Sequence, residues 1–234
     1  MQASITIDVE HDCPPFLNTY RGITDGLPRL LAVLADNRVR ATFFSTGDVA
    51  RRYPDAVKRI VDDGHELGCH GDTHARFSTL DEKGARRELQ DASESLRKFS
   101  DVRSFRAPNL DLPEVHLPLL AEYGYTLDSS WGRHKCGSYF IKPDVRFGIR
   151  RIPASISPLP MRAPSPIRRA VLALLEAPIV LFFHPWEFVD MSKTGIRLDC
   201  RIRTGEPALD LLEATIADLR RRSATLVPMR ELQT

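Results

Sequence analysis

Two histidines four residues apart are the part of this sequence best suited to chemistry. His70 and His74 follow a short apolar run, and two acids, Asp8 and Glu10, stand near the start of the chain. On one face of a helical turn, imidazoles at this spacing have Cβ atoms roughly 6 Å apart, close enough to share one metal ion. A carboxylate from elsewhere would complete a three-ligand site with an open coordination position, which is typical of a catalytic metal. We therefore expect such a site, if the chain also supplies an acid, a base and a pocket.

Other polar residues that could serve this site also follow predicted β-strands. In α/β barrels, catalytic side chains gather at the carboxyl ends of the parallel strands, so residues in these positions are expected to meet. The residues concerned are Asp8, Glu10, His70, Arg106, Asp128 and His184. Their common placement is stronger evidence for one site than any single residue would be.

Strand-like and helix-like segments alternate along the chain, which favours a mostly parallel sheet with helices outside it. The predicted strands are 5–9, 40–45, 66–69, 102–105, 126–127, 179–183 and 224–227, and the predicted helices are 24–36 with Thr24 as N-cap, 54–63, 80–99, 113–123, 167–176 and 207–222. We expect one domain over residues 1–234, a distorted or incomplete (β/α)7 TIM-like barrel. The irregular segment 132–166 is expected to form loops over the active face.

The composition is that of an ordinary soluble globular protein. Lys and Arg number 33 and Asp and Glu number 31, and the two signs are interspersed, so nucleic acid is not an expected partner. Four cysteines without C-x-x-C pairing argue against a cysteine zinc site or a disulfide framework. Neither a signal peptide nor a membrane-spanning run is recognisable, and we expect a cytoplasmic protein.

A set of short motifs, in one order over residues 5–190, resembles a known family. The motifs are Thr6-Ile7-Asp8-Val9-Glu10, Arg40-Ala41-Thr42-Phe43-Phe44, Gly64-His65-Glu66-Leu67-Gly68, His70 to His74, Phe105-Arg106-Ala107-Pro108-Asn109, Asp128-Ser129-Ser130-Trp131 and Phe182-Phe183-His184-Pro185-Trp186-Glu187. Together they resemble the NodB-type polysaccharide deacetylases, carbohydrate esterase family 4. The joint signal is far more specific than the histidine pair alone.

The resemblance implies a metal centre with a catalytic base beside it. Glu10, His70 and His74 would bind one divalent ion, most often zinc, although cobalt, nickel or manganese would also suit these donors. Asp8 would be the general base that deprotonates the attacking water. Arg106 would pair with Asp8 and hold it ionised and in position.

The resemblance also implies how the leaving group and the substrate are handled. His184 would protonate the leaving amine, and Asp128 would orient His184 and raise its pKa. A backbone N–H near Asn109 would help to hold the oxyanion. Trp131 and Trp186 would form apolar walls for a sugar face and a small acyl group.

Three departures from the family pattern leave alternatives open. Asn109 stands where the family usually has a tyrosine after the proline, so the oxyanion contact could include a side-chain amide. The usual Asp-Asp pair is Asp8-x-Glu10 here, so Asp12 or His11 could compete as the third metal ligand. The usual leucine two residues before the acid histidine is Phe182, which should narrow the acyl pocket and favour formyl or acetyl groups.

The expected function is therefore a metal-dependent hydrolase that removes an N-acetyl or N-formyl group from an amino sugar. The sugar could belong to a polysaccharide, to the cell envelope or to a lipid-linked conjugate, and the 167–176 helix leaves peripheral membrane contact open. The alternatives are a metal-independent, allantoinase-like hydrolase of cyclic amides and a non-catalytic sugar-binding relative.

Overall fold

One strongly curled β-sheet forms the centre of the protein in the computed structural model, which describes residues 1–135 and 141–233. Residues 136–140, which include Cys136 and part of the expected loop segment, lie outside the described residues. The strands are β1 (Gln2–Val9), β2 (Thr42–Ser45), β3 (Glu66–Cys69), β4 (Ser104–Phe105), β5 (Leu127–Asp128), β6 (Asp144–Arg146), β7 (Ile149–Arg151), β8 (Ile179–Phe183) and β9 (Thr225–Leu226).

Helices connect these strands and cover the outside of the sheet. The α-helices are α1 (Leu27–Asp36), α2 (Gly47–Arg52), α3 (Pro54–Asp62), α4 (Glu82–Leu96), α5 (Leu117–Glu122), α6 (Ser165–Leu174), α7 (Leu198–Arg201) and α8 (Glu206–Arg221). Among the described residues, none of these helices has the length and apolar character needed to cross a bilayer.

The strand order is β6-β7-β5-β4-β3-β2-β1-β8, with β9 beside the start of β1. All neighbours are parallel except the β6–β7 hairpin. An isolated parallel bridge from Ile156 to Leu181 brings the chain after β7 next to β8 and so joins the two ends of the curl. The expected distorted, incomplete barrel is therefore confirmed.

The strand register brings the carboxyl ends of the strands into one row. Consecutive pairing runs through Val9, Ser45, Cys69, Phe105, Asp128 and Arg151. On the other side of β1, Ile7 pairs with Phe183, so His184 follows beside Asp8. Residues one step beyond these strand ends must therefore meet at the same rim.

The two faces of β1 differ in chemistry because successive side chains point to opposite sides of a strand. Ile5 and Ile7 belong to the apolar core shared with α1 and α8. Thr6 faces the inside of the barrel, where its hydroxyl accepts from Arg106 at 2.7 Å and donates to the Leu181 carbonyl at 2.9 Å. The inner face of β1 is therefore polar and leads toward the rim at Asp8.

Some local predictions were wrong. Segment 132–166 is not only loops, because β7 extends the sheet with Ile149 and Arg151 both buried. The first helix begins at Leu27 rather than at residue 24, because a π-helical turn occupies Gly22–Gly26, and Thr24 bonds Asp25 instead of capping. The sequence patterns also did not predict α2, which begins where the Thr46 hydroxyl accepts from the Val49 N–H.

Candidate active site

Glu10, His70 and His74 meet at the rim formed by the strand ends. Oε2 of Glu10 lies 2.6 Å from Nε2 of His74 and 3.2 Å from Nε2 of His70. One ligand atom from each residue lies within 4.8 Å of the others. One carboxylate and two imidazoles at such distances are a donor set that suits a catalytic divalent ion.

The two histidines lie on a loop, so the expectation of a helical turn was wrong. The chain leaves β3 at His70, turns at Gly71 with φ of +74°, and holds His74 itself at φ of +65°. The carboxylate of Glu88 on α4 accepts from the Thr73 N–H at 3.0 Å and from the Thr73 hydroxyl at 2.5 Å. The loop is therefore held by hydrogen bonds to a neighbouring helix rather than by helical geometry.

The orientation of the His70 ring is fixed by a hydrogen bond at its Nδ1, on the side away from Glu10. Its Nδ1 bonds the backbone carbonyl of Arg106 at 2.8 Å, which leaves Nε2 facing Glu10. Such a second partner sets the tautomer of a ligating histidine. Burial raises the pKa of Glu10, but the imidazoles of His74 and His70 outweigh it and hold that pKa well below its usual range. These residues thus fit a bound divalent cation.

The two alternative ligands are placed elsewhere. The carboxylate of Asp12 accepts from the Thr19 hydroxyl at 2.6 Å and from the backbone N–H groups of Arg21 and Gly22 at 2.9 and 2.8 Å. It therefore fixes the turn before α1. The ring of His11 lies edge-on to the His74 ring with 5.6 Å between centroids. Glu10 is the acid that joins the histidine pair.

Asp8 and Arg106 form a buried ion pair beside this cluster. Nη1 of Arg106 donates to Oδ1 of Asp8 at 2.7 Å, and the arginine is fully buried. The guanidinium also lies over the Phe44 ring, 4.3 Å from its centroid. The expected contact is thus present and holds the Asp8 carboxylate in one orientation, while its part as a base stays a prediction.

His184 follows β8, beside Asp8 on the neighbouring strand β1, and is partnered by Glu187. Nδ1 of His184 lies 2.8 Å from Oε1 of Glu187, and Nε2 lies 3.8 Å from Oε1 of Glu10. Burial lowers the pKa of His184, but the hydrogen bond to Glu187 and the charge of Glu10 outweigh it and raise that pKa to about 9.

The prediction that Asp128 orients His184 was wrong. Its carboxylate accepts from the Ser130 backbone N–H at 3.0 Å, from the Ser130 hydroxyl, and from Nε of Arg151 at 3.2 Å. These partners lie on and beside β5, where the register sets Asp128 opposite Arg151. Asp128 therefore stabilises the turn after β5.

Glu187 is the functional candidate that sequence reasoning missed. It stands three residues after His184, and its Oε1 accepts from the His184 backbone N–H at 2.9 Å as well as from the ring. An acid three residues after an N-cap position is a capping-box pattern. That spacing, in His184-Pro185-Trp186-Glu187, was the available signal.

A cavity of about 220 Å³ lies over these groups. Asp8, Glu10, His70, His74 and His184 are among its polar lining, and Phe16, Leu110, Phe182 and Trp186 are among its apolar lining. Of the expected substrate residues, Asn109 and Trp186 line the cavity. The expectation that Trp131 forms a wall was wrong, because its ring lies against the Arg151 guanidinium, whose Cζ is 3.1 Å from the ring centroid.

Comparison with known proteins identifies the family. The polysaccharide deacetylase model matches residues 5–127, more than half of the chain. A chitooligosaccharide deacetylase of Sinorhizobium fredii is 37% identical over 84 residues, 35% of this chain and 39% of that protein. One of Rhizobium leguminosarum bv. trifolii is 26% identical over 175 residues, 72% of this chain and 71% of that protein.

A solved structure supports the same assignment at the level of the fold. A Mycobacterium smegmatis protein assigned to the polysaccharide deacetylases superposes with a TM-score of 0.77 at 21% identity, covering 98% of this chain and 87% of that one. The sequence match spans only about two fifths of the Sinorhizobium protein. The family match over residues 5–127 includes the Asp8–Glu10 motif, the histidine pair and Arg106. The chain therefore belongs to the polysaccharide deacetylase family.

Proposed function

We propose that this protein is a metal-dependent hydrolase that removes an N-acetyl group from an amino sugar. The observation that carries the proposal is the grouping of the Glu10, His70 and His74 cluster with Asp8 and His184 around one cavity. The names of the two rhizobial relatives support chitooligosaccharides as the substrate class.

Glu10, His70 and His74 would hold the divalent ion. When bound, such an ion polarises an amide carbonyl as a Lewis acid and lowers the pKa of the attacking water. Zinc suits these donors best, and cobalt, nickel and manganese are accommodated by similar sets.

The remaining groups handle the protons of the reaction. Asp8, held by Arg106 at 2.7 Å, takes a proton from the water as its oxygen adds to the acetyl carbon. His184, which also lines the cavity, gives a proton to the nitrogen as the carbon–nitrogen bond breaks. The products are acetate and the free amino sugar, and each proton-transfer group contributes typically about 10²–10⁴-fold to the rate.

The apolar side of the cavity favours a small acyl group. Phe182 and Trp186 are almost fully buried and flank the His184 ring, with centroids 5.8 and 5.0 Å from it. Their bulk leaves room beside the cluster for formyl or acetyl rather than for longer acyl chains.

The test is release of acetate and formate from N-acetylated and N-formylated glucosamine oligomers by zinc-loaded protein. We expect His70→Ala to abolish release and to lower zinc content, because it removes one ligand. His116→Gln is the matched control, since His116 does not line the cavity. Its Nε2 lies 3.1 Å from the Leu80 carbonyl oxygen. Sugar binding without acid release would contradict the proposal, and so would full activity of His70→Ala.

A further inference from the structure

We propose that Glu187, held by Arg162, is the residue that positions the imidazole of His184 for proton transfer, and that Asp128 does not position it. The inference rests on the proposed function, because it concerns the proton given to the leaving amine. Glu187 is a buried carboxylate with a different partner on each oxygen.

The first oxygen of Glu187 holds both the backbone and the ring of His184. Oε1 accepts from the His184 backbone N–H at 2.9 Å and bonds Nδ1 at 2.8 Å. His184 is the N-cap of the short 3₁₀ turn Pro185–Phe188, so the backbone contact fixes where the residue stands. The ring contact then fixes how the imidazole is turned.

The second oxygen of Glu187 is held by Arg162. Nη2 of Arg162 donates to Oε2 at 2.5 Å, and both side chains are buried. Nη1 of the same arginine donates to three backbone carbonyls near α7, those of Asp199, Cys200 and Ile202, at 3.0, 3.3 and 3.2 Å. Because the guanidinium is fixed by that segment, Glu187 cannot easily turn away from His184.

The consequence is a single useful orientation of the imidazole. With Nδ1 committed to Glu187, Nε2 is the ring nitrogen that faces the cavity, 3.8 Å from Oε1 of Glu10. Trp186 stacks on the ring with an interplanar angle of 21°, and Phe182 meets it edge-on at 81°. A group positioned by packing on its faces and by a carboxylate at Nδ1 presents one proton at one place.

Asp128 is connected to the Arg106–Asp8 pair and not to His184. It fixes the turn through Ser130, and the neighbouring Ser129 accepts from Arg106 through its carbonyl at 3.3 Å and its hydroxyl at 3.0 Å. Arg106 in turn holds Asp8. Asp128 is therefore linked to the base side, while Glu187 is linked to the acid side.

The experiment compares Glu187→Gln with Asp128→Asn in the zinc-loaded protein. Each variant is assayed on an N-acetylglucosamine oligomer, whose amine leaves only when protonated, and on 4-nitrophenyl acetate, whose phenolate leaves without a proton. Glutamine can still accept the backbone hydrogen bond but cannot pair with a charged imidazole.

We expect Glu187→Gln to lower kcat on the amide by about 100-fold. Its KM, zinc content and hydrolysis of the ester should stay within about twofold of wild type, because only the acid step needs the positioned imidazole. Asp128→Asn should lower both activities by the same factor, since it acts through Arg106 and Asp8.

Three outcomes would overturn the inference. They are unchanged amide kcat in Glu187→Gln, an equal loss on both substrates in that variant, and a selective loss on the amide in Asp128→Asn. Failure of the proposed function looks different, because the wild-type protein itself would then release no acetate from any N-acetyl sugar.

Discussion

Arg106 contacts His70 through its backbone and leaves its side chain free for a second task. Its carbonyl oxygen accepts from Nδ1 of His70 at 2.8 Å, while its guanidinium donates to Asp8 at 2.7 Å. One residue thus positions a metal-ligand candidate and the proposed base. The two contacts can be separated by mutation, because a substitution changes only the side chain.

Replacing Arg106 by lysine should therefore separate turnover from metal binding. The ammonium keeps the charge but not the planar fork that reaches Thr6, Asp8 and Ser129 together. We expect kcat for acetate release to fall by about 100-fold, because a misplaced base is costly. Zinc affinity, measured by competition with a chelator, should be nearly unchanged. A large loss of zinc affinity with normal kcat would contradict this assignment.

Replacing Glu10 by glutamine should mainly weaken metal binding. The carboxylate lies 2.6 and 3.2 Å from the two imidazoles, and an amide is a poor ligand in its place. Loss of a residue that only hydrogen-bonds to a metal ligand typically lowers metal affinity by about 10–100-fold. We expect Glu10→Gln to lower zinc affinity by more than that, because it removes a ligand itself. His11→Gln is the control, because His11 contacts His74 edge-on without joining the cluster. Equal affinities in both variants would show that Glu10 is not a ligand.

Removing Glu88 should loosen the loop that carries His74. Its carboxylate accepts from the Asp72 and Thr73 N–H groups at 2.8 and 3.0 Å. We expect Glu88→Ala to lower the free energy of unfolding by about 3 kcal/mol, since hydrogen bonds to a charged acceptor are lost. Zinc affinity should fall as well. Glu94→Ala, on the exposed side of the same helix, should change neither quantity in urea unfolding and zinc titration.

Asp218 should make stability depend on pH below about 4. Burial raises its pKa, but hydrogen bonds from Arg168, Arg221 and Arg169 outweigh it and leave the pKa below its usual range. A carboxylate whose pKa is lowered by folding stabilises the protein above its unfolded pKa, and the stabilisation is lost as pH falls through the folded pKa.

We therefore expect Asp218→Asn to cost about 3 kcal/mol at pH 7, because the buried Arg168 loses its partner. The difference in free energy of unfolding between this variant and wild type should shrink as the pH is lowered below about 4. Urea unfolding at pH 7 and pH 3.5 measures it, and Asp210→Asn, exposed on the same helix, is the control. A difference that does not change with pH would show that the ion pair is not its source.

The strand ends could be predicted from the sequence because the apolar alternation of a strand and the polar residues that follow it are both local patterns. Ile5, Ile7 and Val9 alternate with polar residues, and such a pattern predicts a strand with two different faces. Parallel pairing then places the next residues in one row, which is why Glu10 and His70 meet. β7 was missed because Ile149 to Arg151 lie in an irregular segment rich in Pro, Ser and Arg, which shows no apolar alternation.

Long-range partners could not be predicted in the same way. Asp128 and Glu187 are both acids after or near a strand end, and only the fold shows that one faces Arg151 and the other His184. The histidine loop is a similar case, because Glu88 lies 15 residues along the chain from Thr73, on another element.

Metal dependence is measured by titrating metal-free protein with zinc while following acetate release from an N-acetylglucosamine oligomer. We expect no release at zero zinc and a linear rise that stops at about one ion per chain, since the Glu10, His70 and His74 cluster would hold one ion. Acetate release at the full rate by metal-free protein, unchanged by added zinc, would contradict this expectation.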